Sequence, residues 1–257
     1  MNTDSQIDVN KLPQITAVFW IMKIAATTLG ETGGDWLSMT MNQGYLNSTL
    51  IFFSLFLVAF GGQLLVKKHH PYLFWTVIAA TSTAGTTMSD YMDRTLGLGY
   101  TNGAAILVVI LLSLLALWRF TVGNVEVSNI RTRKAEVFYW VTILFSNTLG
   151  TALGDFLADD SGLGFFGSWL LITGILAVIL AATYFTRINK VLLFWIAFIL
   201  TRPFGATFGD VLTKTHEAGG FDLGRGYSSL FLLAILLVTI QMTYWNKKVG
   251  LASTPSD

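Results

Sequence analysis

The sequence repeats itself four times, and this repetition restricts the fold more than any other feature. An aromatic residue followed by tryptophan occurs at Phe19-Trp20, Phe74-Trp75, Tyr139-Trp140 and Phe194-Trp195. An aspartate stands fifteen residues after each tryptophan, at Asp35, Asp90, Asp155 and Asp210. Self-similarity at a nearly constant period is typical of tandem structural units, so we predict four copies of one unit.

A second landmark gives the length of the unit. Nine residues after each of the first three aspartates comes a glycine and an aromatic residue, at Gly44-Tyr45, Gly99-Tyr100 and Gly164-Phe165. The fourth copy is expected to reach the same point at Gly226-Tyr227, after an insertion. The repeats therefore run over about 13–68, 69–123, 134–188 and 189–248, within a single domain of residues 1–257.

The composition indicates a membrane protein. Of the 257 residues, 53% are hydrophobic and 12% charged, whereas about a quarter of a soluble domain is charged. Apolar stretches of about 20 residues can cross a bilayer as helices. We expect eight such spans, near 14–34, 46–66, 73–92, 102–122, 137–157, 165–186, 191–213 and 227–246. The predicted fold is all-α and polytopic.

A unit of two spans always re-enters the membrane from the same side. The four repeats are therefore predicted to be parallel and pseudo-symmetric about the membrane normal. Basic residues collect in alternate connections, at Lys67, Lys68, Arg119, Arg131, Arg133, Lys134, Arg187, Lys190, Lys247 and Lys248. The positive-inside bias then predicts that both termini are cytoplasmic.

These motifs resemble a known family. The aromatic-Trp pairs and the segments GETGGD, GTTMSD, GTALGD and GATFGD are similar to those of bacterial integral membrane proteins with four tandem two-span repeats, each with a characteristic tryptophan. That family is described as a repeat of unknown function, or as an uncharacterized membrane-anchored protein. The resemblance covers almost the whole chain and implies the architecture and a bacterial inner (plasma) membrane, but no activity.

The spacing within the unit suggests a role for each landmark. Tryptophan and aspartate lie about 22 Å apart along a helix, so tryptophan is expected half wet at the cytoplasmic interface and aspartate near the outer end. A glycine ten residues and a small residue fourteen residues after each tryptophan, as in Gly30 and Gly34 or Gly85 and Ser89, form a small-xxx-small face. Such faces allow close helix packing, which we favour over ligand contact.

The four aspartates have two interpretations. Each can end its helix in the outer interface, bonded to loop amides. Alternatively, Asp35, Asp90, Asp155 and Asp210 face inward, with Glu31 one turn earlier in the first copy, and form an acidic ring that attracts and partly dehydrates cations. Charged residues inside membrane spans mark functional sites by default.

Other polar residues break the fourfold symmetry. Lys23 lies three residues after Trp20 and is expected to snorkel to the cytoplasmic surface. Arg202 lies too deep for that, so it should face the bundle interior and pair with a carboxylate or carbonyl, beside a kink at Pro203. It is either structural or a counter-charge that a bound cation displaces. Asn147 occupies the position of Arg202 in the third copy and, with Lys23, is a candidate coupling residue.

We therefore predict a small transporter or channel for a cation. Its candidate ligands, for metal or other cation, are Glu31, Asp35, Asp90, Asp155 and Asp210. Oxygen ligands without cysteine suit Mn²⁺, Mg²⁺, Na⁺ or protons, and a proton-coupled solute is equally compatible. The alternatives are a structural or sensory scaffold and, with no nucleophile-base pair evident, an intramembrane enzyme. No cofactor and no nucleic-acid partner are expected. The lipid bilayer is an expected partner, and the sequence leaves open whether the protein forms a homo-oligomer.

Overall fold

The computed structural model describes residues 13, 15–123, 125, 130 and 132–252, with side chains described up to residue 245. The chain termini predicted to be cytoplasmic, Arg131 and the side chains of Lys247 and Lys248 lie outside the described part. Within it, eight α-helices form the fold: α1 Ala17–Asp35, α2 Gly44–Leu65, α3 Pro71–Asp90, α4 Gly99–Val122, α5 Arg133–Asp155, α6 Gly164–Phe185, α7 Lys190–Thr213 and α8 Arg225–Ala252.

Local signals explain where the helices begin. Each odd-numbered helix starts after a side-chain cap that accepts from a backbone N–H, namely Thr16, His70, Thr132 and Asn189. Each even-numbered helix starts at or directly after a glycine with positive φ, a conformation that only glycine adopts without strain: Gly44, Gly99, Gly164 and Gly224. One π-helical turn, which the sequence did not predict, follows each of α1, α3 and α5.

Six of the described helices are long and apolar enough to cross a membrane. These are α2, α4, α5 with its following turn, α6, α7 and α8. Helices α1 and α3 fall short because their buried faces carry many polar residues, such as Thr28, Glu31, Thr83 and Thr87. Several long apolar helices indicate a multi-pass membrane protein.

The odd-numbered helices form a closed ring, which we call the inner bundle. In it α1 packs on α3, α3 on α5, α5 on α7, and α7 on α1. The even-numbered helices, here called the outer helices, cover this ring. Their apolar windows are only 17% to 22% buried, against 72% for α5. This arrangement of parallel inner helices around one axis agrees with the predicted fourfold repeat.

The outer helices do not pack as simple hairpins with their own partners. Helix α2 lies on α3, α4 on α5, α6 on α7, and α8 on α1, so that all four inner helices are covered. Each outer helix therefore covers the inner helix of the following repeat. The connection after each inner helix carries the chain sideways, so the two helices of one repeat are separated.

The glycines ten residues after each tryptophan lie where inner helices approach most closely. A Cβ atom on Gly85 would lie 2.9 Å from the backbone nitrogen of Thr148, and one on Gly205 would lie 2.5 Å from Thr27 Oγ1. Gly30 and Gly150 meet Ser82 and Arg202 in the same way. The packing interpretation of these glycines is confirmed, because no larger residue fits there.

The tryptophans, expected half wet at the interface, mostly lie inside the protein. Trp75, Trp140 and Trp195 are buried, and only Trp20 is partly exposed. In three of the four repeats, the aromatic residue before the tryptophan contacts the tryptophan of the next repeat: the centroids are 5.7 Å apart for Phe19 and Trp75, 5.4 Å for Phe74 and Trp140, and 5.8 Å for Phe194 and Trp20. These rings form an aromatic layer that closes one end of the inner bundle.

Candidate functional site

The interior of the inner bundle consists of layers four residues apart, because residues at i and i+4 lie on one helix face. After the aromatic layer comes a Lys23 layer of Lys23, Ile78, Ile143 and Phe198. Two layers with polar residues follow. The first, which we call the polar layer, contains Thr27, Ser82, Asn147 and Arg202, and the second contains Glu31, Thr86, Thr151 and Ala206. The last layer contains the four repeated aspartates. All sixteen side chains are buried.

The four aspartates face the protein interior. Asp35, Asp90 and Asp155 are the last residues of their helices, and all four are at most 4% exposed. Carboxylate oxygens of Glu31, Asp155 and Asp210 lie within 4.8 Å of one another, although they belong to three different repeats. The structure therefore brings these three predicted site residues together in one cluster, which we call the carboxylate cluster.

Three basic residues, here called the cation lid, cover the aspartate layer. Arg94 Nε lies 3.1 Å from Asp90 Oδ1, and its Nη2 lies 3.4 Å from Asp155 Oδ2. Lys214 Nζ lies 3.3 Å from Asp210 Oδ1, and Arg225 Nε lies 3.3 Å from Asp35 Oδ2. These three side chains are 24% to 30% exposed, so they separate the buried acids from the surroundings.

Sequence reasoning missed the cation lid, although a signal was present. Arg94 and Lys214 each follow an aspartate by four residues, the spacing of a helical ion pair. Arg225 was missed because the fourth copy was matched to the other repeats at Gly226-Tyr227, which is the wrong register. The glycine with positive φ is Gly224 and not Gly226, and Tyr227 is 82% exposed. Arg225 therefore takes the place that Tyr45, Tyr100 and Phe165 hold in the other repeats.

Aromatic side chains hold the lid cations in place. Arg94 Nη1 donates to the hydroxyl of Tyr45 at 3.1 Å, and the guanidinium lies 5.7 Å from the ring centroid of Tyr100. Lys214 Nζ lies 4.7 Å from the ring centroid of Phe165. Burial by itself lowers the pKa of Lys214, but the carboxylates of Asp210 and Asp35 outweigh it and raise that pKa above its ordinary value. Lys214 is therefore cationic at neutral pH.

Arg202 lies inside the bundle, as predicted. It is fully buried, and its Nη2 donates to Glu31 Oε2 at 3.1 Å and to the backbone oxygen of Ser82 at 3.4 Å. The same nitrogen contacts Thr86 Oγ1. Helix α7 runs without interruption through Pro203. Arg202 thus provides the counter-charge for the deepest carboxylate.

Lys23 does not snorkel to a surface, so that prediction is wrong. Its side chain is fully buried, and its Nζ lies 4.0 Å from the ring centroid of Phe198. No hydrogen-bond acceptor for Nζ exists among the described residues. The aromatic layer lies between Lys23 and the end of the bundle, and it blocks the route to the surface that the sequence left open.

Asn147 lies in the polar layer but does not reach the carboxylate cluster. Its Nδ2 donates to Thr81 Oγ1 on α3 at 3.0 Å. Its Oδ1 is buried and, in the described part of the chain, has no hydrogen-bond partner. Asn147 therefore joins α5 to α3 and leaves one oxygen facing the interior without a partner.

Several other buried polar atoms share this property. The atoms without a hydrogen-bond partner within residues 15–123 and 132–245 include Asp90 Oδ2, Thr151 Oγ1, Ser82 Oγ, and Arg202 Nε and Nη1. Buried polar groups are almost always hydrogen-bonded, and exceptions call for a reason such as an ion or a ligand. Orphaned oxygens in the layers beside Glu31 fit a hydrated ion better than an apolar molecule.

The charges of the interior layers and the cation lid nearly balance. The five carboxylates of Glu31 and the four repeated aspartates form ion pairs with four cations, namely Arg94, Arg202, Lys214 and Arg225. Asp93 and Glu136 are also buried but lie outside these layers. One negative charge is therefore in excess if every carboxylate is ionised and Lys23 is not counted. Oxygen ligands of this kind can hold a hard cation such as Mg²⁺ or Mn²⁺.

Comparison with known proteins identifies the repeat and nothing else. A family model described as Repeat of Unknown Function matches four segments, at residues 18–69, 73–124, 138–189 and 193–248. These segments coincide with the four units found from the sequence and together span most of the chain. No curated protein and no solved structure matches.

Proposed function

The chain belongs to the family described as Repeat of Unknown Function (DUF347), and because that description states no activity, we propose a function from the site: transport of a cation through the inner bundle. The leading substrate is a hard or borderline divalent metal ion such as Mn²⁺ or Mg²⁺. A proton-coupled solute is the related alternative.

One observation carries this proposal: the carboxylate cluster. Oxygens of Glu31, Asp155 and Asp210 lie within 4.8 Å of one another and are buried. Placing three carboxylates together away from water is costly unless cations neutralise them. The unpartnered Asp90 Oδ2 and Thr151 Oγ1 in the same two layers supply further oxygens for such an ion.

The packing supports the membrane placement that we propose. All eight helices cross the membrane, with α1 and α3 shielded from lipid by neighbouring helices. The pseudo-symmetry axis lies along the membrane normal. The positive-inside bias puts the termini and the aromatic layer at the cytoplasmic side of a bacterial inner membrane, and the cation lid at the outer side.

The inner bundle resembles a carrier more than a channel. The aromatic layer closes one end and the cation lid covers the other, so neither end offers an open path. Arg202 is then a tethered counter-charge: it neutralises Glu31 at rest and withdraws when a cation takes its place. Because either Arg202 or the transported cation neutralises Glu31, this carboxylate can stay buried during the whole transport cycle.

The test is flux in reconstituted liposomes. We expect wild-type protein to transport at least one of Mn²⁺, Mg²⁺ and Na⁺. Glu31→Gln, Asp155→Asn and Asp210→Asn should each reduce this flux at least tenfold, with smaller losses for Asp35→Asn and Asp90→Asn. Anomalous scattering from crystals soaked in Mn²⁺ should show the ion beside Glu31.

A matched control is Asp160→Asn, which removes an exposed acid at the end of the π-helical turn that follows Asp155. It should leave flux unchanged. Normal flux in all of the well-expressed site variants would refute the proposed site. A wild-type protein that moves none of Mn²⁺, Mg²⁺ and Na⁺ would refute transport of these cations and leave the proton-coupled solute or a packing scaffold.

A further inference from the structure

A single basic residue, Lys23, lies in an otherwise apolar layer of the inner bundle. Ile78 and Ile143 are fully buried in this layer, and Phe198 is 1% exposed. Lys23 Nζ faces the ring of Phe198 at 4.0 Å and, in the part of the chain that the structure describes, has no acceptor. A lysine contributes nothing to packing here that methionine would not, so its ionisable amine needs an explanation.

The charged groups around Lys23 are few. Helix α1 packs on α3, α7 and α8. The titratable groups on these helices, within the described side chains, are Tyr72 and Asp90 on α3, Lys190, Arg202 and Asp210 on α7, and Arg225, Tyr227 and Tyr244 on α8. Only Arg202 lies in the layer next to Lys23, and its charge repels an ammonium. Glu31, the nearest acid along α1, is already bound by Arg202.

Of the five cations that the described part of the chain places in the interior layers and the cation lid, Lys23 is the one that can lose a proton readily. Arg94, Arg202 and Arg225 stay protonated because a guanidinium is not deprotonated in proteins. Lys214 is held in its charged form by Asp210. Lys23 has neither a carboxylate partner nor a hydrogen bond, so only the excess negative charge of the interior retains its proton.

We propose that Lys23 couples the transport of the cation to a proton. This inference rests on the proposed function. With Lys23 protonated, five cationic groups balance five carboxylates. A divalent cation in the carboxylate cluster adds two positive charges and drives Arg202 from Glu31 toward the Lys23 layer. The Lys23 ammonium then becomes its neutral amine: one N–H bond breaks, the electron pair stays on nitrogen, and the proton passes to a water molecule that enters the inner bundle with the hydrated cation.

The consequence is exchange in opposite directions. A proton released on the side from which the cation enters, and regained on the side where the cation leaves, gives one proton moved against each cation. Lys23 is thus a positioning and proton-carrying residue and not a ligand of the metal. Its replacement should uncouple the proton without removing the cation site.

The experiment measures Mn²⁺ and proton movement together in liposomes that contain the full chain. Wild type should move protons against Mn²⁺ and respond to an imposed pH gradient. Lys23→Met should retain Mn²⁺–Mn²⁺ exchange but lose at least nine-tenths of the coupled proton movement and of the response to the gradient. Lys190→Met, at an exposed lysine that begins α7, is the matched control and should behave as wild type.

A second measurement does not depend on Lys23→Met folding. Mn²⁺ binding to wild-type protein in detergent should release about one proton, and Lys23→Arg should bind Mn²⁺ without releasing one, because the guanidinium keeps its proton. Unchanged proton movement in Lys23→Met, or unchanged release in Lys23→Arg, would overturn the coupling role. Mn²⁺ flux without any proton movement in wild type would also overturn it, yet leave the transport proposal standing.

Discussion

Arg202 and Lys23 are both fully buried, but only Arg202 has an acidic partner. Breaking a buried ion pair by removing one partner costs about 3–5 kcal/mol, because the other charge stays behind unneutralised. Arg202→Met should therefore lower the thermal unfolding temperature of the protein in detergent markedly. Lys23→Met should leave it unchanged or raise it, because methionine fills similar space without a charge.

The control for this comparison is the double variant Arg202→Met with Glu31→Gln. It should recover much of the lost stability, since neither charge then remains without a partner. Equal unfolding temperatures for the two single variants would contradict the observed pairing.

The two cations also show what the sequence can predict about single residues. Seven residues into the membrane from Trp195, Arg202 has no short route to water, so its interior location was predictable. Lys23 is only three residues from Trp20, and snorkelling was reasonable as long as the tryptophans marked the interface. Because the tryptophans belong to a buried aromatic layer, they do not mark the boundary between membrane and water. The spacing of residues along the chain cannot show that the tryptophans are buried.

The inner helices depend on glycine where their backbones meet. A Cβ on Gly85 would lie 2.9 Å from the backbone nitrogen of Thr148, which cannot rotate away. Gly85→Ala should therefore lower the free energy of unfolding by about 1–3 kcal/mol, the cost of overpacking. Gly174→Ala, on the exposed face of α6 with no atom within 4 Å of its Cβ, should be neutral or stabilising by up to about 1 kcal/mol.

Thermal unfolding of both variants in the same detergent measures the difference. Equal unfolding temperatures would mean that α3 and α5 are further apart than the structure has them.

The helices themselves were largely predictable, because apolar length and the repeat both mark them. The predicted span near 73–92 corresponds to α3, Pro71–Asp90, and that near 191–213 to α7, Lys190–Thr213. The π-helical turns and the start of α8 were not. The fourth repeat has no aromatic residue after its turn glycine, Gly224. The aromatic residue Tyr227 therefore led to a predicted turn glycine, Gly226, that is two residues too late.

For the whole molecule, the critical contact is the one between the last outer helix, α8, and the first inner helix, α1. Ser229 Oγ on α8 donates to Thr32 Oγ1 on α1 at 2.8 Å. The chain contains no cysteine, so the pair Thr32→Cys with Ser229→Cys can be tested for a disulfide without background. We expect this pair to cross-link within one chain, visible as a mobility shift that a reducing agent reverses.

The matched control is Thr32→Cys with Thr49→Cys. Thr49 occupies the position of Ser229 in the first repeat, five residues after the turn glycine, and lies on the outer helix of the same repeat as Thr32. It should not cross-link. The opposite pattern would mean that each repeat is a self-contained hairpin.

The fourfold, parallel arrangement followed from the repeat alone, but the repeat left open whether the aspartates face inward or end their helices in the outer interface. Which inner helix each outer helix covers did not follow, because both neighbours offer similar apolar faces. Nor could the spacing show that Glu31, Asp155 and Asp210 converge while Asp35 and Asp90 stay outside the carboxylate cluster. It also could not show that the three cations of the lid pair with all four aspartates from the segments that follow the inner helices.

The displaced cover of each inner helix has a consequence for how such a molecule arises. Four separate copies of one unit could assemble into the same ring, each lending its outer helix to a neighbour. In such an assembly of identical subunits, a lysine at one level would occur four times and the charges would repel. Fusion into one chain removes that constraint, because each copy can then diverge independently. The single amine of Lys23, the single guanidinium of Arg202 and the single carboxylate of Glu31 can therefore face one axis because the four copies are fused in one chain.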